Sequence, residues 1–144
     1  MAIKRLRDID RSDDAACGDA SRPKHMVHYD LEAFVWVTFY SILMYTMKNP
    51  GVVDDLSNQQ ALNRKRVIKR LSLLFKHFKL DDVIQAKESF ALGGIEVLEF
   101  IEDVNLRKVA VGVWQLLFKQ NILFGDPVLM THDSLCEVFV DAGA

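Results

Sequence analysis

The chain has no run of apolar residues long enough to cross a bilayer, which takes about 20 at the helical rise of 1.5 Å each. It has only two cysteines, Cys17 and Cys136, set 119 positions apart. That spacing argues against a disulfide framework or a zinc site and for two reduced intracellular thiols. Glycine-rich phosphate loops and nucleophile elbows are missing, so the usual sequence carriers of nucleotide and acyl chemistry are not to be seen. No segment alternates apolar and polar residues between turns, and no internal repeat is visible, which excludes a sheet-based or solenoid reading. The first fourteen residues, "MAIKRLRDIDRSDD", become charged within four residues and never apolar, so they lack the apolar centre of a secretory signal. Cytoplasm or nucleus is the expected compartment. Net charge is −2, too small and of the wrong sign for a general polyanion binder.

What is present is a core. Half of the 144 residues are apolar and 26% are charged, proportions that suit one globular domain and do not suit disorder. The strongest segment is "HYDLEAFVWVTFYSILMYTMKN", His28 to Asn49. From Ala33 to Met47 it carries no charge and is polar only through hydroxyl groups. Fifteen residues are too few to span, and a helix apolar on every side is expected to lie enclosed by other elements. Asp30 is placed to cap its first turn, and Glu32 adds negative charge near the positive end of the dipole. Asn49-Pro50-Gly51 ends it.

The remaining pattern is helical. Residues 1–29 read as an irregular polar segment, followed by a single helical domain over 30–144. Val67, Leu71, Leu74, Phe75 and Phe78 recur at three- and four-residue spacing within Leu62 to Phe78, an amphipathic helix capped by Ser57 or Asn58. Asp81 is expected to cap a short helix through Phe90, and Gly93-Gly94 reads as a hinge. Ile95 to Gln120 is helical with an interruption near Asp103 to Asn105, and its second part is expected to bury Leu106, Val109, Val113, Trp114, Leu117 and Phe118. A turn at Gly125-Asp126-Pro127 precedes a last helix that starts at Thr131 or Asp133. The expected fold is all-α, a compact bundle around one buried hydrophobic helix.

Charge is segregated along the chain. Seven Lys or Arg and no acid lie between Ala61 and Leu80, whereas Asp81 onward holds four basic and eleven acidic residues. The two blocks are expected to attract each other across the surface. Arg64, Lys65, Arg66, Lys69, Arg70 and Lys76 also form a candidate anion-binding face, although no aromatic residues interleave them as stacking platforms for bases. His25, His28, His77 and His132 show no metal spacing, and Thr131-His132-Asp133 reads as a helix start, not a triad fragment. No metal or other cofactor is expected.

Three pieces, in order, resemble a known family. "HYDLEAFVWV" (His28 to Val37) is similar to the segment opening the central C-lobe helix of the fungal-specific protein-kinase-like family, "QAKESFAL" (Gln85 to Leu92) to its Ala-x-x-Lys-x-x-Phe-Leu segment, and "THDSLCEVFVDAG" (Thr131 to Gly143) to its closing helix. "MAI" at the start resembles the end of the stretch after the activation loop. The resemblance implies a partial kinase C-lobe, with Asp30 in the place of an aspartate that holds the catalytic loop from behind and Glu32 beside it. Phosphoryl transfer needs a glycine-rich loop, a strand lysine, a His-Arg-Asp loop and an Asp-Phe-Gly segment, and the chain has none of them. It would begin after the point where they occur. The expectation is a non-catalytic, C-lobe-like module that acts by binding, with a protein partner or self-association through exposed apolar surface, no specific nucleic acid and no transmembrane segment. The rival readings are a free-standing helical adaptor that takes a partner helix in a groove, and an anionic-surface binder through residues 64–79.

Overall fold

A computed structural model describes residues 27–49, 58–77 and 79–143. Expectations placed on "MAI", Cys17, His25, Pro50-Gly51, Ser57 and Phe78 lie outside these residues. The described residues form six helices and no strand: α1 (Val27–Lys48), α2 (Asn58–Leu73), α3 (Leu80–Gly93), α4 (Ile95–Leu98), α5 (Val104–Gln120) and α6 (His132–Gly143). None of them is long and apolar enough to cross a membrane.

Helix α1 is the axis of the fold. Leu31, Val35, Trp36, Phe39, Ile42 and Leu43 form its buried face. That face meets Val67, Leu71 and Leu74 from α2 and the turn after it, Phe90 and Ala91 from α3, and Ala110, Val113, Trp114 and Leu117 from α5. The ring of Phe90 stands edge-on to Phe39 at 4.9 Å and lies 6.2 Å from Trp36. Trp114 is tied to the same place, because its indole N–H donates to the Phe90 carbonyl at 2.8 Å. Three helices thus converge on one phenylalanine.

The helix ends follow from local chemistry in two places, at the interruption expected near Asp103 and at the helix start expected at Thr131. Asp103 caps α5 by accepting from the Leu106 amide at 2.8 Å. Ahead of α6 the Ser134 amide donates to the Thr131 hydroxyl at 3.1 Å and the Thr131 amide to the Ser134 hydroxyl at 3.0 Å, a reciprocal box of the kind that satisfies free amides at a helix start. Elsewhere the expectations need correction. Helix α1 already includes Val27, so Asp30 lies within the helix rather than ahead of it. Helix α3 begins at Leu80 behind Lys79, which makes no side-chain cap, and Asp81 belongs to the first turn, where its charge favours the dipole. Phe118 is 37% exposed and stacks flat on Trp114 at 5.2 Å, outside the core.

The largest correction concerns α1 itself. It is not enclosed on every side: Val27, Phe34, Val37, Tyr40, Tyr45 and Met47 are all exposed. The helix carries two apolar faces, and the bundle uses one.

Gly93-Gly94 breaks the helical run as expected, α3 ending at Gly93 and α4 starting at Ile95, but Gly94 adopts no special torsion. Its φ of −79° and ψ of −8° are open to any residue. A β-carbon there would, however, lie 2.4 Å from the Phe90 ring and 2.6 Å from the Phe90 carbonyl oxygen. Space, not conformational freedom, requires the glycine. Gly94→Ala is therefore expected to destabilise the protein by about 1–3 kcal/mol in urea denaturation. If freedom were the reason, the substitution at so ordinary a φ would instead stabilise by about 0.4–1 kcal/mol. The sign of the change decides.

Candidate functional site

Two features stand out from an ordinary helical bundle: a polar cluster inside it and an apolar strip outside it. The cluster is built on α1. Glu32 has no exposure to solvent. One carboxylate oxygen accepts from the Trp36 indole N–H at 3.3 Å, one turn further along the helix. The other accepts from the Gln120 side-chain amide at 2.7 Å, at the end of α5. The Gln120 amide oxygen in turn accepts from the Met130 backbone N–H at 3.0 Å, which anchors the segment leading into α6. From α3, Lys87 brings its ammonium 4.7 Å over the Trp36 ring, itself buried. Burial pushes the Lys87 ammonium down to about 8 from its ordinary value of 10.5, and the Glu32 carboxylate works against that shift. Among the described residues every buried side-chain nitrogen and oxygen has a hydrogen-bond partner.

With its oxygens taken by Trp36 and Gln120, Glu32 joins α1, α3, α5 and the approach to α6, and works as a structural anchor rather than only as charge near a helix start. Asp30, two residues earlier, is exposed. Lys87, Gln120 and Trp36 were not singled out from the sequence. The four-residue spacing of Glu32 and Trp36 was a readable signal, whereas Gln120 comes from 88 positions away.

The candidate anion-binding residues do not converge. The Arg64 guanidinium turns inward and donates to the Thr46 carbonyl near the end of α1. Arg66 lies 5.5 Å over the Phe100 ring, and Arg70 reaches the Ser89 hydroxyl of α3 at 3.5 Å. Lys65, Lys69 and Lys76 are exposed. The three arginines thus serve three different contacts within the bundle. Of the histidines, His28 is buried with its ring edge-on to Tyr29 at 4.3 Å, and His132 is the exposed first residue of α6. No group of three His, Cys, Asp or Glu among the described residues is arranged to hold a metal ion. An open groove of about 760 Å³ between α5 and α6 is lined by charges of both signs: Arg107 and Lys108 against Glu99 and Asp141.

The outer strip runs the length of α1. Val27, Phe34, Val37 and Tyr45 are 57%, 50%, 59% and 52% exposed, enough to expose side chains that core packing ordinarily covers. Phe139 of α6 meets Phe34 edge-on at 6.3 Å on one side, and Phe75 meets Tyr40 at 5.3 Å on the other. Phe139 and Val140, 41% and 69% exposed, widen the strip. Exposed apolar side chains grouped in this way, with the exposed Asp30, Ser41 and Lys48 among them, are compatible with protein binding.

No protein-family model, no curated protein and no solved structure matches the chain.

Two outcomes follow from the inner cluster. Glu32→Gln leaves one acceptor oxygen where two donors, the Trp36 indole and the Gln120 amide, now point, so one of them meets a second donor. It is expected to cost about 2 kcal/mol in denaturant unfolding at neutral pH. Lys87 has the lower affinity for protons in the folded chain, so the unfolded chain binds more protons between pH 8 and 10.5 and stability rises with pH across that window. Urea denaturation at pH about 7.5 and about 9.5 should show this increment, and Lys87→Met should abolish it.

Proposed function

We propose that the chain is a non-catalytic helical module that works by docking another protein on the outer face of α1. The exposed strip of Val27, Phe34, Val37 and Tyr45 carries this reading. The helix is apolar on both flanks although the bundle covers one, and a soluble domain that leaves the second bare loses solubility unless something is to bind there. The resemblance of His28 to Val37, Gln85 to Leu92 and Thr131 to Gly143 to the fungal-specific protein-kinase-like family supports a C-lobe-like origin for the module, with α1 as the helix around which such a lobe is assembled. On that reading the outer face of α1 is surface that the rest of a kinase domain would cover. The lack of a glycine-rich loop, a strand lysine, His-Arg-Asp and Asp-Phe-Gly supports the non-catalytic part.

The anionic-surface alternative is weakened by Arg64, whose guanidinium turns to the Thr46 carbonyl, and by Arg66 and Arg70 pointing toward different neighbours, Phe100 and Ser89.

Two measurements test the proposal. Purified protein with labelled ATP, magnesium and generic substrates is expected to transfer no phosphate; transfer would end the non-catalytic reading. A photo-crosslinking residue at position 37 is expected to form adducts with polypeptide in expressing cells, while one at exposed Glu96 forms none. Equal yields at the two positions would remove the outer face of α1 as a docking surface.

A further inference from the structure

No further inference is drawn: the strongest candidate, the apolar loop between α5 and α6 that exposes Leu123, Phe124 and Val128, carries no proposal because nothing in the structure shows what covers it.

Discussion

A carboxylate removed from water has to be given hydrogen bonds and positive charge by its surroundings, and that requirement organises this protein. Glu32 sits in the middle of the core with no exposure. An uncompensated charge there would cost several kcal/mol. Trp36, Gln120 and Lys87 come from the same helix, from α5 and from α3, and meeting the carboxylate fixes where each helix stands relative to α1. Apolar packing alone tolerates sliding and rotation of helices; a buried ion with two hydrogen bonds does not. The apolar contacts around Phe90 supply cohesion, and Glu32 supplies register. The chain of bonds continues through Gln120 to the Met130 amide, so even the placement of α6 depends on it.

The Lys87 ammonium shows the cost of the arrangement. Burial lowers its proton affinity more than the Glu32 carboxylate restores it. The ring of Trp36 beneath it offers a second, weaker compensation through its negative face. The bundle therefore holds a charged pair at some expense in stability, which apolar residues of the same volume would not incur.

Much of the fold was legible in the sequence because its helices are punctuated by local chemistry. Asp103 and the Thr131–Ser134 box satisfy amides within three residues of themselves, and such signals need no knowledge of the rest of the chain. The spacing of Val67, Leu71 and Leu74 likewise pointed to the face of α2 that is buried. The break at Gly93-Gly94 was legible, but its reason was not: a sequence cannot say whether a glycine is chosen for its torsions or for its missing side chain, and only the nearness of the Phe90 ring tells them apart. Glu32 was read through the helix dipole, a local effect, when two of its partners, Lys87 and Gln120, are far away in the chain. The six basic residues were read as one face, yet Arg64, Arg66 and Arg70 bend toward three different neighbours, and long side chains hide that choice from any helical pattern.

The misreading of α1 has a physical origin that bears on what the protein is for. An amphipathic helix declares its buried side by contrast, and α1 has almost none between Ala33 and Met47, so the absence of a polar face was taken to mean enclosure. A helix destined for two different packing surfaces produces the same flat pattern. What separates the two faces is what covers them: the inner one, with Glu32, Val35 and Phe39, is buried by the neighbouring helices, and the outer one, with Val27, Phe34, Val37 and Tyr45, stays exposed.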